Sequence, residues 1–344
     1  MSSLERFTQR LYAAEQHWDS IRRTPYSAPG RWVQTLDLSG LQCALWSEIC
    51  HVDNLLTRLF PLVPFVQDIC LNLSITLSRR VFLSLCGRDG NSRLHRLKGI
   101  KLNTPFCALD DSLVDLLKQC PNLVELECSG PGVDGVLPDI AEGHKGDNDN
   151  SVQVLRLPHL QKVTMISMHS SPVMQSLLHS PLPSLTHLTV TPYDDVSIPS
   201  SLVPKLIEKL GPNLTSLHLY APKTWPTMLF PSPTTLLHTC PKLRHLSLEN
   251  PLPTLTVCSI YPKHPLQILS IPRPDPEFLT VLESLLPKLP ALKAVRARDV
   301  RWLRPGMGAI AREAGVQGEM YDWKRRLGRR GIHVLDADWQ QSLN

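Results

Sequence analysis

Apolar residues recur at the first, fourth and sixth positions of a short segment, L-x-x-L-x-L, that is repeated eleven times along the chain. The clearest copies begin at Leu214 and Leu243. The remaining copies begin at Val33, Val66, Leu97, Leu123, Leu160, Leu185, Leu266, Leu292 and Ile332. The first positions of successive copies lie 23 to 40 residues apart. A period of this size indicates a solenoid, in which each repeat packs only against its neighbours.

Within one repeat, the pattern predicts a strand followed by a short helix. Leu217 and Leu219 alternate with polar residues, which is the period of a half-buried strand. The segment 234–239 has apolar residues at helical spacing, and Pro241 ends it. Strand and helix in alternation predict parallel strands on a concave face and helices on a convex face. We therefore expect an α/β fold, a leucine-rich-repeat solenoid with the shape of a horseshoe.

The repeats account for almost the whole chain of 344 residues. We predict an N-terminal helical cap at 1–30 and one leucine-rich-repeat domain at 31–344. Residues 129–151 contain five glycines and five acidic residues, a composition typical of a flexible surface insertion. Residues 301–344 are predicted to form a basic C-terminal cap that includes a closing strand.

The cysteines and the apolar runs indicate the compartment. The chain has nine cysteines and no C-x-x-C pair, which favours a reducing environment. Cys120 and Cys240 occupy the same place in a recurring C-P-[NK]-L string, so we expect both thiols to be buried. No run approaches the roughly 18 apolar residues of a membrane span. The expected localisation is cytoplasmic or nuclear.

Four strings carry a resemblance to a known family. They are the C-P-[NK]-L-x-x-L-x-L strings at Cys120 and Cys240, the G-P-N-L string at Gly211 and the closing R-R-G-I-x-V-L at Arg329. Together they resemble the repeat regions of F-box proteins from basidiomycete fungi, and residues 7–38 are similar to the segment that follows the F-box. The resemblance implies a protein that selects substrates for an SCF-type ubiquitin ligase. No L-P-x-E-[IL] module precedes the first repeat, so SCF subunits are expected as partners only if an F-box lies upstream.

Candidate binding residues are those that each strand directs away from the core. The candidates lie at the third, fifth and seventh positions of the repeats. His, Tyr and Arg among them are good anchors for an interface. These candidates are Glu125, Glu127, His187, His218, Tyr220, His245, Glu249, Arg296 and Arg298. The alternative is that they are solvated strand residues. A further candidate is the proline-rich loop at 221–233, where Trp225, Met228 and Phe230 either contact a partner or cover helix ends.

The remaining chemistry is sparse. We find no nucleophile elbow, phosphate loop, dinucleotide fingerprint or H-E-x-x-H motif, and we predict no catalytic residue, cofactor or metal. The net charge of +5 comes from 293–330, which holds 11 basic and 4 acidic residues. The basic run at 324–330 is typical of a polar capping helix or of a nucleic-acid patch.

The expected function is therefore non-catalytic protein–protein interaction, with a protein substrate or target as the partner. One alternative is a free-standing leucine-rich-repeat binder or inhibitor that is unrelated to ubiquitin. Another is a nucleic-acid-associated protein that uses the basic run.

Overall fold

The computed structural model describes residues 2–21, 29–87, 90–102, 112–130, 153–168, 170–192, 201–222, 232–257, 263–302 and 316–342. These residues form two compact units, Met1–Leu185 and Thr186–Asn344. In each unit the strands are parallel and pair in sequence order, and helices lie in the connections. The predicted α/β class with parallel strands is confirmed.

The first unit has five described strands and five described helices. The strands are β1 (Thr35–Asp37), β2 (Asp68–Cys70), β3 (Arg96–Lys101), β4 (Glu125–Ser129) and β5 (Lys162–Ile166). The helices are α1 (Ser2–Ile21), α2 (Trp46–Leu59), α3 (Arg79–Cys86), α4 (Ser112–Lys118) and α5 (Pro172–His179). Short 3₁₀ helices lie at Pro29–Trp32, Phe60–Leu62 and Asn91–Arg93.

The second unit has six described strands and four described helices. The strands are β6 (His187–Val190), β7 (Ser216–Leu219), β8 (His245–Ser247), β9 (Ile268–Ile271), β10 (Ala294–Ala297) and β11 (His333–Leu335). The helices are α6 (Val203–Leu210), α7 (Leu236–Thr239), α8 (Pro276–Leu285) and α9 (Val316–Gly328). Short 3₁₀ helices lie at Gly211–Asn213 and Leu286–Lys288.

Local sequence explains where the best-defined helices begin. Asp275 precedes α8, and its carboxylate accepts the backbone N–H groups of Glu277 and Phe278 at 2.8 and 3.2 Å. Pro276 then occupies the first helical position, where its missing N–H costs nothing. Ser171 caps α5 in the same way, by accepting the N–H of Met174 at 3.2 Å.

The leucines of the repeat form the core, as predicted. Leu214, Leu217 and Leu219 are all buried. The first leucine enters the strand through a tight turn, in which the N–H of Leu214 donates to the carbonyl of Gly211 at 3.0 Å. The C-P-[NK]-L strings make the same turn, with distances of 3.1 Å at Cys120 and 3.2 Å at Cys240. The recurring string is therefore the entry turn of a strand.

Both cysteines of these strings are buried, which confirms that prediction. Burial raises the pKa of the Cys240 thiol to about 12, so it stays protonated at neutral pH. Gly211 stands where the other two strings have cysteine. A Cβ there would lie 2.9 Å from the sulfur of Cys240, so the close contact between neighbouring turns excludes a larger side chain.

The predicted register of the third repeat is wrong by three residues. Leu97 pairs with Leu126, the fourth residue of the next copy, so the repeat begins at Leu94 rather than at Leu97. Ile100 reaches the inner face only because the register shifts after Leu97. Gly99 makes that irregularity, with φ +71°, and a Cβ on it would lie 1.9 Å from the carbonyl oxygen of Leu71. A sequence pattern with fixed spacing cannot predict such a bulge.

The last repeat is displaced by one residue from its predicted register. Val334, and not Leu335, pairs with the inward Val295. The sixth position of the repeat therefore falls on Asp336, which is fully buried. A buried carboxylate at a leucine position requires hydrogen-bond partners. Backbone N–H groups of the terminal segment and of Trp302 supply them.

Residues 324–328 of the basic run lie on α9, which is amphipathic, as predicted. Trp323 and Leu327 are buried, whereas Tyr321 remains 44% exposed. Arg325 pairs with Asp322 at 2.6 Å, and Arg326 pairs with Glu283 of α8. These ion pairs reduce the charge that the run could offer to phosphates.

Two predicted features lie outside the described residues: positions 131–151 of the insertion and the loop residues Trp225, Met228 and Phe230. Among the helices that the structure does describe, none combines the length and the apolar character needed to cross a bilayer.

Candidate interaction surface of the second unit

The strands of the second unit carry polar side chains on the face opposite the buried leucines. Successive side chains of a strand point to opposite faces, and the pairing register aligns them in rows. One row runs Thr189, His218, Ser247, Ser270 and Arg296. We call this surface the polar strand face, and it consists of His187, Thr189, Ser216, His218, Tyr220, His245, Ser247, Glu249, Ser270, Arg296 and Arg298.

Two histidines form the centre of the polar strand face. The Nε2 atom of His218 lies 3.2 Å from Nδ1 of His245, and Nε2 of His245 lies 3.0 Å from the hydroxyl of Ser270. The two rings meet edge to face, with centroids 4.5 Å apart. A neutral His245 can bond both neighbours, because one ring nitrogen donates and the other accepts. The register places β7, β8 and β9 so that this chain forms.

The environment of His245 keeps its ring neutral. Burial, followed by the nearby charges of His218, Arg296 and His187, lowers its pKa to about 4. At neutral pH the ring therefore acts as a fixed polar group that carries no charge.

The end of the chain covers part of the polar strand face. The guanidinium of Arg296 donates to the carbonyl of Ala337 at 2.6 Å, and it lies 4.2 Å from the centroid of the Trp339 ring. The same ring lies 6.0 Å from the ring of His245, edge on. Arg296 was predicted to be available to a partner, but it is occupied by this intramolecular contact. Burial, followed by repulsion from Arg298, lowers the pKa of Arg296.

Asp336 holds this terminal segment in place. Its carboxylate accepts the backbone N–H of Trp302 at 3.1 Å and those of Asp338 and Gln340 at 2.9 Å each. Trp339, which lies within this turn, has a φ of +62°, a conformation that an L side chain adopts only when its surroundings enforce it. The buried carboxylate thus positions an aromatic ring over the strands.

Arg298 and Glu249 contact each other rather than solvent. Arg298 donates to Glu249 at 2.9 Å, to the hydroxyl of Ser247 at 2.9 Å and to the carbonyl of Leu219 at 3.1 Å. Glu249 also accepts the N–H of Ala221 at 3.2 Å. Both charged side chains are only 14% exposed. We call the pair the Arg298 clasp. It connects the residue that follows β10 to β7 and β8, and it stabilises the fold.

The two acidic candidates of the first unit differ from each other. Glu125 lies 2.7 Å from the ammonium of Lys98 and 2.8 Å from that of Lys162. Burial opposes ionisation of Glu125, but hydrogen bonds from the two lysines outweigh it and lower the pKa. Glu127 has no such cation within 4.0 Å among the described residues. Glu125 is therefore part of a cross-strand ion-pair ladder, whereas Glu127 is not.

Two aromatic side chains remain accessible here, Tyr220 on the polar strand face and Trp339 in the terminal segment that covers part of it. Tyr220 is 42% exposed and Trp339 is 44% exposed. Of the predicted candidates, the structure brings together His187, His218, Tyr220, His245, Glu249, Arg296 and Arg298 in this unit. Sequence reasoning missed Trp339, because it follows the last repeat. The signal that could have found it was Asp336, a charged residue at the sixth position of that repeat, where a leucine is expected.

A search of the described residues finds no group of three His, Cys, Asp or Glu side chains arranged to hold a metal ion. A comparison with models of known protein families and with curated proteins finds no match.

Proposed function

We propose that this chain is a leucine-rich-repeat protein that binds another protein on the polar strand face of its second unit. The repeat supports the first part, because in-register parallel strands with buried leucines at fixed positions are what stacked repeats of this kind produce. In such a fold the strands line the concave side of a horseshoe, and that side is where partners bind.

One observation carries the binding proposal: two half-exposed aromatic rings, Tyr220 and Trp339, accompany a hydrogen-bonded His218–His245–Ser270 chain. Rigid aromatic side chains bury much area and lose few rotamers on binding. The polar groups between them are already fixed by one another. A preformed surface of this kind needs little ordering when a partner docks.

By its resemblance to F-box proteins, the setting we propose is substrate selection for an SCF-type ubiquitin ligase. A free-standing binder that never associates with ligase subunits is the second reading. The nucleic-acid alternative has less support, since Arg325 and Arg326 are ion-paired to carboxylates.

Affinity purification from extract of the source cells, followed by quantitative mass spectrometry, tests the proposal. The wild-type chain is compared with the variants Tyr220→Ala and Trp339→Ala and with the control Tyr321→Ala, whose side chain is equally exposed on α9. A true partner should be lost from the two variants and retained by the control. With the purified partner, each variant should weaken binding about tenfold or more.

Thermal unfolding of all variants shows that loss of binding does not come from loss of structure. A partner that binds all four chains equally would exclude the polar strand face. Ligase scaffold or adaptor subunits among the captured proteins would support the ubiquitin setting, and their consistent absence would favour the free-standing binder.

A further inference from the structure

Two histidines on neighbouring strands of the second unit bring ring nitrogens together at the spacing of metal ligands. Ser216 of β7 pairs with His245 of β8, and His218 lies two residues further along β7, so the histidines are diagonal neighbours on one face. Nε2 of His218 lies 3.2 Å from Nδ1 of His245. Two imidazole nitrogens that bind one tetrahedral ion at about 2.0–2.1 Å lie about 3.3 Å apart. A single ion therefore fits in place of the proton that the two rings share.

Ser270 orients the second of these rings. Its hydroxyl lies 3.0 Å from Nε2 of His245. When that nitrogen donates to the hydroxyl, the lone pair of the ring is on Nδ1, the atom nearest to His218. A metal-binding histidine almost always donates its other ring nitrogen to an oxygen or a water, and this contact fixes both the tautomer and the ring orientation. The Ser270 hydroxyl supplies that support to His245.

The His245 ring can bind a cation without first losing a proton. Burial, followed by the charges of His218, Arg296 and His187, lowers its pKa to about 4, so the ring is neutral at pH 7. Metal ions bind the deprotonated nitrogen of histidine, and a proton on that nitrogen competes with them. A neutral His218 exposes its Nε2 lone pair when its proton is on Nδ1, which is a change of tautomer alone.

The charged neighbours of the pair decide which ions are favoured. Arg298 is paired with Glu249 at 2.9 Å, so its charge is compensated. Arg296 contacts the carbonyl of Ala337 and the ring of Trp339, and its positive charge opposes the binding of any cation nearby. Calcium and magnesium bind through charge to several oxygens, and such ions are disfavoured here. Zinc, nickel and copper ions bind imidazole nitrogen strongly and are the ions expected.

The pair leaves part of the coordination shell of an ion open. No third His, Cys, Asp or Glu side chain joins the two rings in a metal-binding group within the part of the chain that the structure describes. Both rings are partly exposed, so water has access to the remaining positions. The hydroxyl of Ser216, which lies 3.1 Å from Nε2 of His218, is placed to bond such a water. Two protein ligands imply weaker binding than the three or four of catalytic and structural zinc sites.

We propose that His218 and His245 form a two-histidine site for a divalent transition-metal ion, zinc being the probe for it. His218 binds the ion through Nε2 and His245 binds it through Nδ1, with Ser270 as the positioning residue of His245. Zinc binding requires no partner protein, so this site is independent of the proposed function although it lies on the same surface.

A zinc titration of the full chain tests the site. The chain is purified without a histidine tag, freed of metal with a chelator and titrated with Zn²⁺ against a chromophoric indicator. One ion per chain should bind with a Kd of about 10 µM. His218→Ala and His245→Ala should each weaken binding about tenfold or more, whereas the control His333→Ala, which removes an exposed imidazole from β11, should leave it unchanged. Circular dichroism of each variant shows whether it is folded.

Nuclear magnetic resonance of the histidine rings tests the site without any substitution. In long-range proton–nitrogen spectra of the wild-type chain, zinc should shift Nε2 of one histidine and Nδ1 of another, because the geometry requires this mixed pattern. In Ser270→Ala the zinc affinity should fall about tenfold, and the Nε2 proton of His245 should exchange faster with water.

Three results would overturn the proposal: a wild-type Kd above about 100 µM, a loss of less than about tenfold in either folded histidine variant, and zinc shifts confined to Nε2 atoms. The first two would show adventitious zinc only. Failure of the proposed function is a separate outcome, because Tyr220→Ala tests capture of a partner and keeps both histidines. That variant should bind zinc as the wild-type chain does.

Discussion

Replacing Arg298 by methionine should destabilise the second unit by about 3 kcal/mol. The change keeps most of the apolar length of the side chain and removes its three donated hydrogen bonds, to Glu249, Ser247 and the carbonyl of Leu219. Breaking a buried ion pair costs about 3–5 kcal/mol, since the remaining charge stays buried. Here Glu249 keeps the N–H of Ala221 as a donor, so the lower end of that range applies.

Urea unfolding followed by circular dichroism measures this loss. At an unfolding slope of about 2–3 kcal/mol per molar, the midpoint should fall by about 1 M. The matched control is Arg301→Met. Its side chain is 61% exposed and pairs with Asp338 at 3.1 Å, so the expected loss is about 0.5 kcal/mol or less.

In the double variant with Glu249→Gln, the two changes should be non-additive by about 1 kcal/mol or more, because they break the same contact. An unchanged midpoint for Arg298→Met would refute the structural role of the Arg298 clasp. Arg298 would then return to the set of residues available for binding a partner.

Two further perturbations test other parts of the fold. Gly99→Ala should destabilise the first unit by about 2 kcal/mol or more, because φ is +71° and the new Cβ would meet the carbonyl of Leu71. Gly40→Ala, where a Cβ meets nothing within 4 Å, is its control in the same urea titration, and equal losses would contradict the bulge. Lowering the pH from about 6.5 toward 4 should destabilise the chain, since unfolded His245 takes up a proton at about 6.5 and folded His245 only at about 4. His245→Gln should reduce this pH dependence, and an unaltered slope would show that the ring is not held neutral.

The alternation of a strand predicts which face a side chain lies on, but not which groups it contacts. Alternation correctly assigned His218, His245 and Arg296 to the face opposite the leucines, because that assignment depends only on the two-residue period of a strand. Alternation could not show which of these side chains form contacts within the molecule. Arg296 and the Arg298 clasp are engaged by groups from 40 to 79 residues away in the chain, and no local pattern records such contacts.

Spacing within a single repeat was enough to predict the parallel strands and helices, the inward leucines and the burial of Cys120 and Cys240. The register at Gly99 and Asp336 depends instead on packing, because a left-handed glycine and a buried carboxylate need neighbours outside the repeat. Packing also places the terminal segment over the strands and brings Arg31 and Arg93 to the Phe65 ring. Local periodicity fixes which face a residue occupies, but only packing between distant segments fixes what that residue touches.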